Sequence, residues 1–275
     1  MNIRKKLEEL AMDSGVNFFG VAPVDRFRNA PAGHRPTDLL PGARSVISIG
    51  IKISKGCLEA NHRAYEGLRH GIFSYMLFGY NLLNGILDNG LLRLLRFIES
   101  DAGGIGYPIP ASIPRDEEKL MGAMSNRHAA VCAGLAEFGW NGLAMRSDTG
   151  PRVRWGTLIT DKEIEPNPLP DISGVCTNCK WCVQVCPMQA ISEDQGVELS
   201  IGGKVFRYAV LNKMRCRCGV SGFTRSTAGR TDLEIPEKMT AEEWLAVARN
   251  DNVWNKIERI ASMCGRCMIT CKAGE

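Results

Sequence analysis

Apolar positions along the first 165 residues fall into two periods, one helical and one extended. Ile3, Leu7, Leu10 and Ala11 recur on one helix face and predict a helix over residues 3–13. Residues 16–21 are an apolar run interrupted by Asn17 and Gly20, which predicts a short buried strand. SVISIGIKI, residues 45–53, alternates and is β-branched, and predicts a second strand. The Pro-, Gly- and Arg-rich stretch 22–43 between them reads as a loop. Residues 60–100 return to helical spacing with glycines at 67, 71, 79, 85 and 90, and LLRLLRFIES at 91–100 is the clearest part. GGIGYPIPASIP, 103–114, predicts a strand followed by a loop, because repeated prolines remove helix donors and clash with the preceding turn. A helix is expected from about 117 to 138, then Gly-Trp-Asn-Gly at 139–142. Two strands, 143–146 and 152–160, are expected around a Ser-Asp-Thr-Gly-Pro turn at 147–151. EIEPNPLPDISG, 163–174, reads as a linker. The expected fold class is α+β, with one domain over 1–165 for a cofactor or substrate and another over 172–275.

Composition narrows the class. The 275-residue chain is 44% hydrophobic and 23% charged, as in soluble globular proteins. A net charge of +4, with Lys and Arg scattered, gives no reason to expect a nucleic-acid partner. No stretch approaches the ~20 apolar residues of a membrane span, so no membrane partner is expected. The N-terminus MNIRKKLEELAMDSG has neither the apolar core nor the cleavage site of a secretory signal, and a cytoplasmic location is expected. In a reducing compartment the eleven cysteines are better read as metal ligands than as disulfides. Nine of them follow residue 175, so the metal chemistry is local. Cys57 and Cys132, in apolar or helical surroundings, read as small buried hydrophobes.

Cys176-Thr-Asn-Cys179-Lys-Trp-Cys182-Val-Gln-Val-Cys186-Pro187 has the spacing C-x2-C-x2-C-x3-C-P of bacterial ferredoxins. Three thiolates two residues apart can wrap one iron–sulfur cube. The fourth, Cys186, is expected to begin a short helix, with Pro187 in its first turn, and to point toward a second cluster. Zinc sites favour C-x2-C pairs separated by a longer finger. A second run, Cys264-Gly-Arg-Cys267-Met-Ile-Thr-Cys271, is C-x2-C-x3-C. By two-cluster logic Cys271 crosses back to join Cys176, Cys179 and Cys182, while Cys186 joins Cys264 and Cys267. The second set lacks one ligand, which Cys216 or Cys218 should supply. Two 4Fe-4S clusters are therefore expected. Some 77 residues separate Cys186 from Cys264 and a large α/β region precedes both, so the clusters are expected to serve another site.

That region has no G-x-G-x-x-G after a strand and no Walker A lysine motif. Its four histidines, at 34, 62, 70 and 128, stand in no context that would ligate a corrinoid, and mid-helix His128 reads as packed or capping. Three segments carry a resemblance: SNRHAAVCAGL at 125–135, FGWNGL at 138–143 and GPRVRWGTLITD at 150–161. Leading into the ferredoxin run, this block resembles the epoxyqueuosine reductase and reductive dehalogenase superfamily, well over 105–275 and weakly before. The resemblance implies a nitroreductase-like N-terminal domain holding a corrinoid (cobalamin) with its lower base detached, which needs no histidine ligand. It implies that a ferredoxin-like two-cluster domain feeds single electrons to the cobalt. It also favours Cys216 over Cys218 as the lone ligand between the runs.

The departures matter as much. Epoxyqueuosine reductases carry an acidic proton donor in a Val-Asp-Thr-Ala-Pro segment. Leu120 stands at that position here, with Asp116 and Glu117 out of register. Those tRNA-modifying enzymes also carry a helical-repeat domain and dehalogenases usually an export signal, and neither is expected of this sequence, which has four residues after Cys271 and no signal pattern at residue 1. Tyr107, before Pro-Ile-Pro, is a candidate for the cofactor site. So is the 139–142 turn through Asn141 and Gly142, where glycine permits a close backbone approach. Asp148 and Thr149 are expected only to build a turn. The expected function is a corrinoid-dependent iron–sulfur oxidoreductase acting on a small molecule, with an electron donor such as ferredoxin or flavodoxin. The alternatives are a non-catalytic electron-transfer or corrinoid-handling protein, and a flavin domain fed by the clusters.

Overall fold

The computed structural model describes residues 2–68, 70–112, 120–171, 174–220 and 264–274. Helix α1 (Ile3–Met12) starts where the Asn2 side chain accepts from Lys5 N–H at 3.1 Å, a cap that satisfies one free donor of the first turn. Strand β1 (Phe18–Pro23) follows, then the short helix α2 (Pro36–Leu39) and β2 (Ser45–Lys52). Helix α3 (Lys55–Tyr65), helix α4 (Gly71–Ser74), a π-helical stretch (Tyr75–Asn81) and helix α5 (Leu82–Ser100) make up the long helical region. Strand β3 (Gly106–Ile109), helix α6 (Asn126–Cys132), the two-residue strands β4 (Glu137–Phe138) and β5 (Ala144–Met145), and β6 (Val153–Thr160) complete the N-terminal part.

Four strands form an antiparallel sheet in the order β1-β2-β6-β3. Val21, Ile47, Ile49 and Leu158 face α1 and α5, meeting Leu7, Ala11, Leu87, Leu91, Leu94 and Ile98. Ala22, Val46, Val153, Trp155 and Ile159 face the opposite side, toward Ala129–Cys132 of α6. Helices on both faces explain why seven of eight β2 residues are buried rather than alternating. Each fully buried Leu or Ile side chain contributes about 1.5–3 kcal/mol relative to exposure. Cys132 belongs to this core, 2% exposed, and burial pushes its thiol up to about 12. Pro108 is accommodated because β3 is an edge strand.

Several expectations are corrected. Of the helix expected from about 117 to 138, only α6 is helical among the described residues; 113–119, with Asp116 and Glu117, lie outside them. Ser125 caps its start, and Gly134, at φ +71°, follows its end. Both strands expected around 147–151 are present, β5 shortened to two residues, and each pairs elsewhere: β5 with β4, and β6 between β2 and β3. The expected linker is fastened to the sheet. Ile164 N–H donates to Ser45 Oγ at 2.9 Å, and Asn167 exchanges bonds with Val21, donating to its carbonyl and accepting its N–H, each at 2.9 Å.

The later residues add helix α7 (Trp181–Gln184), strands β7 (Ile191–Ile201) and β8 (Lys204–Leu211), helix α8 (Lys213–Val220) and helix α9 (Arg266–Ile269). β7 and β8 form a hairpin turning at Gly202-Gly203, with Ile201 and Phe206 in the core beneath the sheet. No helix among the described residues is long and apolar enough to cross a membrane.

Candidate iron–sulfur site

The two cysteine runs adopt the same turn. Lys180 (φ +59°) and Gly265 (φ +60°) each precede a one-turn helix, α7 or α9. Val183 N–H donates to Lys180 O at 2.9 Å, and Met268 N–H to Gly265 O at 2.9 Å. Cys182 and Cys267 sit second in those helices, and Cys186 and Cys271 lie just past their ends. No helix begins at Cys186, contrary to expectation. Pro187 instead enters a turn closed by Gln189 N–H to Cys186 O at 3.0 Å.

The thiols fall into two groups. The Cys182 thiol is pushed up to about 11 by burial and then by Cys176, Cys179 and Cys271. Burial raises Cys267 well above the ordinary thiol value, followed by Cys216, Cys264, Cys186 and Cys182. Cys264 is also raised, by burial first, with Cys186 among its neighbours. Gathering partly buried thiolates is unfavourable until a metal offsets their charge. Backbone donors already point at two sulfurs: Trp140 N–H to Cys176 Sγ and Ala190 N–H to Cys186 Sγ, both 3.3 Å. Cys218 is buried, 1% exposed, and its thiol is pushed up to about 11 by burial. Among the described residues no three His, Cys, Asp or Glu side chains converge as tightly as one bare ion would require.

The N-terminal region holds these loops. Tyr65 OH donates to Cys264 O at 2.9 Å, and Arg152 reaches the carbonyls of Cys271 and, at 2.8 Å, Ala273. The buried Tyr75 hydroxyl lies 3.6 Å from where a Cβ on Gly265 would stand. Arg154, on β6, covers the Tyr80 ring at 3.9 Å, and Tyr80 OH hydrogen-bonds Ser112 Oγ at 2.7 Å. Ser112 lines a cavity of about 460 Å³ with Tyr107, Ile109, Leu120, Met124 and Asn126. Tyr107 is therefore at this cavity, 39% exposed. Asn141 and Gly142 are placed at the cysteine loops, where Asn141 Nδ2 donates to Cys267 O at 3.0 Å. His128 is packed, as expected, between Phe138 and Tyr208.

Sequence reasoning missed Tyr65, Tyr75, Arg127 and Arg152 as supports. The two arginines do lie within the segments that carried the resemblance. It also missed the β7–β8 hairpin.

The twinned cysteine turns lie beside a helix-covered antiparallel sheet, and the 4Fe-4S binding domain family matches residues 171–192, which hold the first run and mark an iron–sulfur protein. The chain is 26% identical over 214 residues to an epoxyqueuosine reductase of Lactococcus garvieae, covering 70% of this chain and 57% of that protein. It is 45% identical over 69 residues to a tetrachloroethene reductive dehalogenase of Desulfitobacterium hafniense, 24% of this chain and 12% of that one. Its fold is shared with the epoxyqueuosine reductase of Streptococcus thermophilus (TM-score 0.56, 18% identity), covering 100% of this chain and 66% of that one. A reductive dehalogenase structure described as suggesting a mechanism for B12-dependent dehalogenation matches at TM-score 0.50 and 14% identity, covering 92% of this chain and 35% of that one. The chain is thus similar to epoxyqueuosine reductases and, over a shorter stretch, to reductive dehalogenases. It spans a little over half the length of the Lactococcus relative.

Proposed function

We propose that this protein is an iron–sulfur oxidoreductase in which two 4Fe-4S clusters deliver single electrons to a corrinoid in a nitroreductase-like domain, residues 1–165. The observation that carries this reading is that seven cysteines from two distant runs, together with Cys216, gather into two adjoining groups that meet at Cys182 and Cys267. Cys176, Cys179, Cys182 and Cys271 would hold one cluster. Cys186, Cys216, Cys264 and Cys267 would hold the other, both within a ferredoxin-like domain over 172–275. Cys216 is favoured over Cys218 because its charge acts on Cys267. Each cluster supplies a one-electron carrier, and a corrinoid would supply a cobalt centre that accepts single electrons.

Cys179 is exposed, which marks the first group as the side open to an electron donor such as ferredoxin or flavodoxin. The Cys264–Cys267 loop abuts Tyr65 and Tyr75, on the side from which Arg154, Tyr80 and Ser112 lead to the cavity. That cavity, with Tyr107 at its wall, suits a small-molecule substrate.

One observation favours a second reading, a non-catalytic electron-transfer or corrinoid-handling protein. Leu120, at the position of the superfamily's acid, lines the cavity and supplies no proton.

Anaerobically purified protein should contain about eight irons per chain and show the broad violet absorption of 4Fe-4S clusters. Four irons would remove the second cluster, and zinc alone would remove both. Cys216→Ser should lose cluster iron and Cys218→Ser should keep it. Added cobalamin should bind with a changed spectrum; turnover of a halogenated or epoxide substrate would then separate enzyme from carrier.

A further inference from the structure

The 139–142 turn touches both cysteine groups. Trp140 N–H donates to Cys176 Sγ at 3.3 Å, while Asn141 Nδ2 donates to Cys267 O at 3.0 Å. These ligands belong to opposite groups in the two-cluster reading, on which this inference rests. The turn itself is closed by Gly142 N–H to Gly139 O at 2.8 Å, Gly139 N–H to Leu143 O at 2.9 Å and Leu143 N–H to Asn141 Oδ1 at 3.1 Å. Gly142 has φ +71°, and a Cβ there would stand 3.4 Å from an Arg127 guanidinium nitrogen and 3.5 Å from the Tyr208 ring. Arg127, on α6, donates to the Gly142 carbonyl. Burial lowers the pKa of Arg127, and its neighbouring charges are Tyr208, Cys216 and Cys267.

We propose that this turn is a bracket between the two clusters and that Arg127 is the positioning residue holding it, so that α6 sets both cluster potentials. Two physical effects converge there. A backbone N–H aimed at a ligating sulfur stabilises the extra negative charge of the reduced cluster and raises its potential. A fixed cation beside Cys216 and Cys267 does the same for the second cluster, and more strongly where water is excluded. Arg127 touches neither substrate nor reacting atoms; it acts through the carbonyl it holds and through its charge.

The test is an anaerobic redox titration of the reconstituted protein followed by EPR, with iron counted in every sample. Wild type must first show about eight irons and two separable signals, so that failure of the two-cluster reading is seen separately. Arg127→Met should keep the iron and lower both midpoints. Arg127→Lys, which keeps the charge but not the planar fork, should restore most of the second midpoint and little of the first. Where Arg127→Met does not fold, Asn141→Ala serves: the second cluster's signal should move most, through the lost bond to Cys267 O, and the first less, through the turn that Asn141 Oδ1 closes. Full iron with both midpoints unmoved in Arg127→Lys and Arg127→Met, or equal movement of both signals in Asn141→Ala, overturns the bracket.

Discussion

The two cysteine runs have one backbone and opposite surroundings. Both place a left-handed residue before a single helical turn, but the residue is Lys180 in the first and Gly265 in the second. Around the first run the surface is open: Cys179 is exposed and Trp181 is 41% exposed. The second is wedged against α3 and the π-helical stretch. A Cβ on Gly265 would sit 3.2 Å from Ile269 Cδ1 and 3.6 Å from Tyr75 Oη. A lysine in the left-handed region costs roughly 1–2 kcal/mol. Lys180 offsets part of that by placing its ammonium 2.9 Å from the centre of the Trp140 ring. The same turn thus leaves room for a side chain where it faces outward, while at Gly265 even a Cβ would press on Ile269 and touch Tyr75 of the N-terminal part.

Gly265→Val should break the comparison most severely. A β-branched residue at φ +60° carries strain of about 1–3 kcal/mol before its methyls meet Ile269 and Tyr75. The loop should then release Cys264 and Cys267, and iron should drop from about eight to about four per chain while the first cluster survives. Retention of eight irons would mean that the Tyr75 contact does not constrain the loop.

The two matching cysteine runs were legible in the sequence because metal-ligand spacing is local; the turn each adopts was not, and the helix expected to begin at Cys186 lies instead before it, over Trp181–Gln184. The strands β1 and β2 were also legible, their apolar runs being continuous or alternating. The helix expected from about 117 was not, because the signals that bound α6, the Ser125 cap and the left-handed Gly134, are single residues within a helix-compatible pattern. Residues 163–174 read as a linker because proline density reports missing helix donors, not the long-range bonds from Ile164 to Ser45 and from Asn167 to Val21. The contacts of Tyr65, Arg127 and Arg152 with the cysteine loops span sequence separations that no periodicity encodes.

Acid should sharpen the contrast on the second run's side. His128 lies in α6 beside Arg127, with its ring hydrogen-bonded to Ser125 Oγ at 2.8 Å and Tyr208 OH at 3.3 Å. Burial, and then Arg127, lower its pKa from 6.5 to about 4. Because the folded value lies below the unfolded one, His128 contributes stability that is full above pH 6.5 and is lost as pH falls toward 4. At 1.36 kcal/mol per pKa unit, discounted for a partly exposed ring, the loss is about 1–3 kcal/mol. Anaerobic denaturant unfolding at pH 7 and pH 5 should show a fall in stability that His128→Phe reduces. An equal fall in the variant would assign the acid sensitivity elsewhere.

Lys180→Gly should have the smallest effect, and its smallness is informative. Glycine removes the left-handed strain, a gain of about 1 kcal/mol, and gives some back through a freer unfolded chain. It also loses the contact over Trp140, worth about 0.5–1 kcal/mol at a partly exposed site. The terms nearly cancel, so the unfolding free energy should move by less than about 1 kcal/mol and the iron content should not change. The charge does not cancel. Lys180 stands between Cys179 and Cys182, where a cation stabilises the reduced cluster, so the first cluster's midpoint should fall while the second stays fixed. Equal movement of both midpoints would mean that the two runs are not electrically distinct, and the difference between Lys180 and Gly265 would then be steric alone.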